Sequence, residues 1–394
     1  MLKLIKKNTN FRIFFSASII SNIGDYVDDI VFAQLVYLIT QSTLFTSYVF
    51  AIKMVFTFLS IFMAALADRL NKKKLIVGCY IMQAVVLSIV IVMYKLNKIN
   101  LLVLIATVTA QALFSSISVP TQNAVLSSIV APNDVVDARA LINVCQRFVQ
   151  IIAYAASATL VAFIGIEGAL LIDIFTFFIA AFFYIFINMD NTSIPFKDFR
   201  DYTNEVKQGF LFVKTTPIIL SVIICSLIGN FLTSPVDSLM PAYFSQKGFY
   251  KSSYSFFMCI LTITGAILGI IITKIKNKMS EVKIFSFGFG MGAIGISLLF
   301  FSNFIMSIIA AIFIGGSYTI VSVLNSSILQ LRTPKEMIAR TFSIFKCSTF
   351  LAGPAGMILG GLIGEFFSLN KLCLLIDILM FILTLFCGKI LKYK

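Results

Sequence analysis

The sequence predicts an all-α membrane protein of twelve transmembrane helices arranged as two six-helix pseudo-repeats. Three observations predict it. Of the 394 residues, 59% are hydrophobic and 12% charged, and the mean hydropathy is +0.99, whereas soluble domains carry roughly 25% charge. The apolar stretches are continuous over about 20 residues, the length a helix needs to cross ~30 Å of hydrocarbon, and do not alternate as barrel strands do. A set of short motifs recurs about halfway along the chain, at offsets of roughly 200 residues, as a duplicated unit would show. Inside a bilayer every backbone amide needs a partner within its own helix, so apolar runs of this length read as helices.

The expected spans follow in order, each bounded by charge. The first, 11–39, comes after Lys3, Lys6 and Lys7, has no small-residue cleavage site, and reads as a retained helix and not a signal peptide. The second, 44–66, ends at the basic run Arg69 to Lys74, and the third, 75–94, ends at Lys95 and Lys98. The fourth, 100–119, runs on into an amphipathic stretch that leads to Arg139. The fifth and sixth, 141–164 and 169–188, precede the longest polar segment, Asn188 to Thr216. The seventh and eighth, 218–240 and 253–273, flank Lys247 and Lys251, and the ninth, 284–301, follows the basic run Lys274 to Lys283. The tenth, 304–324, again continues into an amphipathic stretch, ending at Arg332 to Arg340. The eleventh, 341–363, and twelfth, 372–391, are separated by Lys371. The domains expected are an N-terminal bundle at 1–188, a cytoplasmic central loop at 189–217 and a C-terminal bundle at 218–394.

Positive charge sets the expected orientation. With the N-terminus inside, the inner segments hold 23 of the 31 Lys and Arg residues and the outer loops hold 5. Both termini are therefore expected to be cytoplasmic, in a multi-pass protein of the cell membrane. The net charge of +14 is explained by this topology and by anionic lipid, so no nucleic-acid partner is needed. The seven cysteines form no C-x-x-C pair, and histidine is absent, so neither disulfides nor a metal site nor a cofactor is expected. Without histidine, any coupling to protons has to use carboxylates. There is no nucleotide-binding loop of the G-x-x-x-x-G-K-S/T type, and no spaced nucleophile and base, so neither an ATP-driven pump nor an enzyme is expected.

The repeat is explicit. Ser127-Ser128-Ile129, Pro132, Ala138-Arg139 and Leu170-Leu171-Ile172-Asp173-Ile174 return as Ser326-Ser327-Ile328, Pro334, Ala339-Arg340 and Leu374-Leu375-Ile376-Asp377-Ile378. Asp173 and Asp377 read as helix-start residues shared by the two halves. The loop Ala64-Ala65-Leu66-Ala67-Asp68-Arg69-Leu70-Asn71-Lys72-Lys73-Lys74 resembles the major facilitator signature G-x-L-a-D-R-x-G-R-K. Ala64 and Asn71 replace its glycines, and asparagine is the best non-glycine tolerant of a left-handed turn. Asn22-Ile23-Gly24-Asp25, the Pro120 to Leu126 run, Gly229-Asn230-Phe231 and Met240-Pro241-Ala242-Tyr243 are similar to the macrolide-efflux and enterobactin-exporter branch. The resemblance covers nearly the whole chain. It implies a secondary transporter that works by alternating access, exporting a hydrophobic or cationic small molecule, with a dedicated natural product or siderophore as the alternative cargo and a non-transporting sensor as the alternative role. A monomer is expected, with membrane lipid and the small-molecule substrate as partners and protons as a candidate coupling ion.

The candidate site starts from three aspartates. Asp25, Asp28 and Asp29 stand at i, i+3 and i+4 and so share one helix face. Counting ~1.5 Å per residue, Asp25 lies ~15 Å into the slab and Asp29 ~21 Å. A charged residue at that depth costs roughly 2.5–3.5 kcal/mol, so this face is expected to meet protein or water. Three like charges there do not all ionise cheaply, and at least one is expected to bind and release a proton. The intramembrane cations Lys53 and Arg147 are candidate partners for this face, and Lys346 is expected to snorkel. Gln146, Gln150, Asn230 and Asp237 are candidate cavity residues, with Asp237 placed near the outer end of its helix. The drug-antiport pattern that the resemblance brings has an arginine in the fourth helix, where this chain has Gln111. It also has a Gly-Pro motif in the fifth helix, which here appears instead in the eleventh as Gly353, Pro354, Gly356 and Gly360, a candidate flexible helix. The resemblance makes Asp68, Arg69, Lys72 and Lys73 a cytoplasmic gate.

Overall fold

The computed structural model describes residues 5, 8–67, 70–131, 134–188, 208–249, 253–275, 280–301, 303–334 and 337–390. All regular structure among them is helical. The helices are α1 (Thr9–Thr40), α2 (Thr43–Ala67), α3 (Lys72–Lys95), α4 (Leu101–Ile129), α7 (Pro217–Gln246), α8 (Ser253–Ile275), α9 (Glu281–Leu299), α10 (Phe304–Arg332), α11 (Ile338–Phe366) and α12 (Leu369–Ile390). Between α4 and α7, the run Val135–Ile185 is broken at Gly165, which adopts φ 68° and ψ −177°. An L-side chain rarely tolerates that conformation. The break separates α5 (135–164) from α6 (166–185), so the expected 165–168 connection reduces to one residue.

Nine helices among the described residues are long and apolar enough to cross a membrane. Several are apolar on both faces, as a lipid-immersed helix must be. On α3, Cys79, Tyr80, Ala84, Leu87 and Val90 are buried, while Met82, Val85, Ile89 and Val92 stand exposed at helical spacing. Repeated over several membrane-length helices, this pattern is that of a multi-pass membrane protein.

Asparagines start several of these helices. The Asn8, Asn71, Asn100 and Asn303 side chains accept from backbone N–H groups of the first turns of α1, α3, α4 and α10, pairing donors that a helix start otherwise leaves unmet. Asn71 is extended at φ −63°. It replaces the signature glycine as a helix cap and not as a left-handed turn residue. Helices α4 and α10 each run 29 residues, past the ends expected at 119 and 324, with Pro120 held inside α4. Their amphipathic continuations simply extend the helix.

The chain forms two compact units, Met1–Gln41 with Ile52–Phe196, and Ser42–Ala51 with Lys197–Lys394. In the first unit, α1 and α3 pack on the α5–α6 run and α4 packs on α1 and α3. Tyr80 is buried at its centre, its ring 5.8 Å from Phe177 and 5.6 Å from Tyr184. Its hydroxyl receives a 2.9 Å hydrogen bond from Gln122 and lies 3.2 Å from Ser21 Oγ, so the polar tip is satisfied.

In the second unit, α7 packs on α11, α12 and α10, while α9 packs on α10 and α12. A β-carbon on Gly356 would strike the Phe231 carbonyl, and one on Gly360 would strike Pro235. The stretch expected to be a flexible element, Gly353, Pro354, Gly356 and Gly360, thus lies within an unbroken α11, and its Gly356 and Gly360 pack closely on α7. Residues 208–215 are helical and close against α11, where Arg340 Nη1 donates to Gln208 Oε1 at 2.7 Å. The start of α2 also belongs to this unit. Glu365 Oε2 accepts from Ser42 Oγ at 3.0 Å, Thr43 N at 2.9 Å and Thr43 Oγ1 at 2.9 Å, so a carboxylate 322 residues away caps α2.

Candidate functional site: an acidic cavity and a hydroxyl-lined cavity

In the first unit the aspartate face of α1 meets Lys53 of α2. Lys53 Nζ lies 2.9 Å from Asp29 Oδ1 and 3.6 Å from Asp28 Oδ2. The side chains are 30% exposed for Lys53, 13% for Asp28 and 49% for Asp29, so Asp28 is the most enclosed member. One ammonium between two carboxylates leaves local negative charge uncompensated, the more so with Asp25 on the same face.

These residues line a cavity of about 240 Å³ together with Thr57, Gln83, Gln111 and Ser115. Gln111, at the position of the family arginine, donates from Nε2 to the Gln83 carbonyl at 3.0 Å and joins α4 to α3. Gln83 Nε2 donates to Ser115 Oγ at 3.1 Å. Among the described residues, Gln83 Oε1 and Asp28 Oδ1 are buried without a hydrogen-bond partner. The cavity wall thus has acceptors to spare.

The other candidates on α5 are not on the wall of this cavity. Arg147 Nη1 donates to Gln150 Oε1 at 3.1 Å, and Gln150 Nε2 donates to the Tyr154 hydroxyl at 3.1 Å. The Tyr154 ring meets Tyr26 edge-on at 5.7 Å. Of the two expected cationic partners of the aspartates, Lys53 makes the ion pair, and Arg147 makes none among the described residues. Gln146 is half-buried on α5 and does not line the cavity. Lys72 is buried and Lys73 half-buried in the first turn of α3; Asp68 and Arg69 lie outside the described residues. Lys346 is exposed on α11.

Asp173 corrects the helix-start reading. It sits two turns inside α6, only 1% exposed, accepts from Thr176 Oγ1 at 3.2 Å, and faces Gly24 of α1. It is within electrostatic reach of Asp25 and Asp28. Asp377 likewise lies well inside α12. Sequence reasoning also missed Gln83, although a lone amide in the apolar run of α3 was the available signal.

The second unit has its own cavity, of about 360 Å³, lined by Asn230, Thr233, Asp237, Tyr318, Asn325 and Phe289 among others. The Tyr318 hydroxyl donates to Asp237 Oδ1 at 2.7 Å, Asn230 Nδ2 donates to the Thr349 carbonyl at 2.7 Å, and Ser226 Oγ donates to Asn325 Oδ1 at 2.8 Å. Because α7 continues to Gln246, Asp237 is not near the helix end, as expected from sequence, but on the cavity wall beside Asn230.

A sequence model described as Major Facilitator Superfamily matches residues 11–357. An uncharacterised MFS-type transporter, YfiS of Bacillus subtilis, is 24% identical over 340 residues, covering 81% of this chain and 78% of its own length. Macrolide efflux protein A of Streptococcus pyogenes is 20% identical over 332 residues, covering 82% of each chain. In fold, the nucleoside transporter NupG superposes with a TM-score of 0.80 at 12% identity, over 98% of this chain and 100% of its own. A bacterial homologue of the iron transporter ferroportin superposes with a TM-score of 0.72 at 13% identity, over 97% of this chain and 99% of its own. The chain belongs to the Major Facilitator Superfamily, whose members here are transporters and not enzymes.

Proposed function

We propose that this transporter exports a cationic, partly hydrophobic small molecule from the cytoplasm by alternating access, with the α1 aspartates as the cation-recognising and proton-exchanging groups. The observation that carries this reading is the Asp28–Lys53–Asp29 ion triad on the wall of the first-unit cavity. Ionisable groups at membrane depth are expensive and are kept where a pathway uses them. The name of the streptococcal relative supports export, and the charge distribution supports a cell-membrane protein with twelve spans and both termini inside. The equal lengths and matching asparagine caps of α4 and α10 support two six-helix repeats. In this reading Lys72 and Lys73, with Asp68 and Arg69, form the cytoplasmic gate, α11 bends around Pro354, and the protein acts as a monomer.

The test is drug accumulation in cells expressing the protein, with and without a protonophore, across a panel of lipophilic cations. Wild type is expected to lower accumulation, the protonophore to abolish that effect, and Asp28→Asn to remove it while still reaching the membrane. An unchanged Asp28→Asn would remove the acidic face from the mechanism.

A further inference from the structure

Building on the reading that the first-unit cavity receives substrate, we propose that this cavity recognises a protonated amine through its N–H groups, with Gln83 as the specificity-determining residue, and so separates primary and secondary ammonium groups from quaternary ones.

The aspartates alone do not carry this, since any cation satisfies their charge. Gln83 does. It is 2% exposed, lines the cavity and carries no charge, and its Oε1 has no partner among the described residues. A neutral amide oxygen gains from a hydrogen-bond donor far more than from charge alone. Its surroundings hold it ready. Ser115 takes its Nε2 hydrogen, and Gln111 fixes the backbone carbonyl of the same residue. The terminal amide torsion is soft, so Oε1 turns toward an incoming donor at the cost of loosening the Nε2–Ser115 bond.

Asp28 points the same way. Its Oδ2 faces Lys53, while its Oδ1 is buried and unpaired. Two residues of the wall therefore each carry a buried acceptor without a partner, one charged and one neutral. Lys53 is itself an alkylammonium, and its 2.9 Å bond to Asp29 shows that this face accepts N–H donors. A quaternary ammonium brings equal charge and no donor, so it would leave both acceptors buried and unpaired. Sites built to hydrogen-bond an N–H reject analogues lacking it more strongly than sites built for shape.

The experiment is equilibrium dialysis of the purified full-length protein in detergent against 4-phenylbutylamine and its N,N,N-trimethyl analogue, which share one hydrophobic body and one charge. Wild type is expected to bind the primary amine about tenfold tighter than the trimethyl compound. Gln83→Leu should shrink that preference to about threefold or less by weakening the amine alone. Gln83→Glu, which keeps an acceptor, should retain it, and serves as the second variant where Gln83→Leu folds poorly. Affinities within about twofold in wild type, a preference unchanged in Gln83→Leu, or no binding of the amine overturn the proposal. Efflux of both compounds from cells is followed in parallel. Selective binding without efflux supports the proposal and sinks the transport reading, whereas equal binding with efflux of both compounds does the reverse.

Discussion

The two cavities solve the same problem, a carboxylate inside an apolar protein, by different chemistry. In the first unit Asp28 and Asp29 face an ammonium, with Asp25 on the same helix face. In the second, the single acid Asp237 is met by the neutral hydroxyl of Tyr318 at 2.7 Å in a wall of serine, threonine and asparagine. A charged partner exchanges with another cation, whereas a phenol hydrogen bond holds a carboxyl group in place. Under the function proposed above, the first cavity would exchange cations and the second would recognise a substrate by hydrogen bonds.

The largest effect that tests this contrast is expected from Lys53→Met. It leaves Asp28 and Asp29 without their cation, and transport should be lost altogether, with folded yield reduced. A fully buried pair costs roughly 3–5 kcal/mol to break, and the partial exposure of Lys53 and Asp29 lowers the stability share to about 1–2 kcal/mol. Adding Asp29→Asn to Lys53→Met should recover part of the yield, measured by size-exclusion chromatography of solubilised protein. If Asp237→Asn reduces yield as much, the contrast between the units is wrong.

Packing sharpens the comparison next. A β-carbon at Gly356 of the second unit would strike the Phe231 main chain, which has nowhere to move, so Gly356→Ala should destabilise by about 1–3 kcal/mol. At Gly24 of the first unit the obstruction is side-chain atoms of Asp173 and Thr176 and not main chain. Gly24→Ala should therefore cost less, and melting midpoints in one detergent decide the order.

Tyr318→Phe removes the donor to Asp237 and should cost about 1–2 kcal/mol in stability, with substrate affinity for the first-unit site unchanged. The smallest effect is a gain. Nothing lies within 4 Å of a β-carbon at Gly78 on α3, so Gly78→Ala should stabilise by about 0.5–1 kcal/mol through helix propensity. A loss there would mean that this face of α3 is covered.

Much of the fold was legible because membrane helices announce themselves by length and hydropathy. The ends were less legible. Amphipathic continuations extend α4 by 10 residues and α10 by 8 beyond their apolar spans, and Asn71, whose type suits a left-handed turn, caps a helix instead. At the site, charge was the legible signal. Asp25, Asp28, Asp29, Lys53 and Gln111 line one cavity, whereas Arg147, Gln146 and Gln150, which the same logic selects, are not on its wall. Spacing says which residues share a helix face, but not which helix that face meets.

By itself, the sequence determined the class of protein, its family and the burial problem posed by three aspartates at membrane depth, because these depend on composition, motif order and helical period. Only the tertiary structure decided the answers. It chose Lys53 over Arg147 as the counter-charge, buried Asp173 against Gly24, left Gln83 Oε1 and Asp28 Oδ1 unpaired, and brought Glu365 to cap a helix 322 residues earlier. Each of these is a contact between segments far apart in the chain. Such contacts are set by which helices pack together, and no local periodicity encodes that choice.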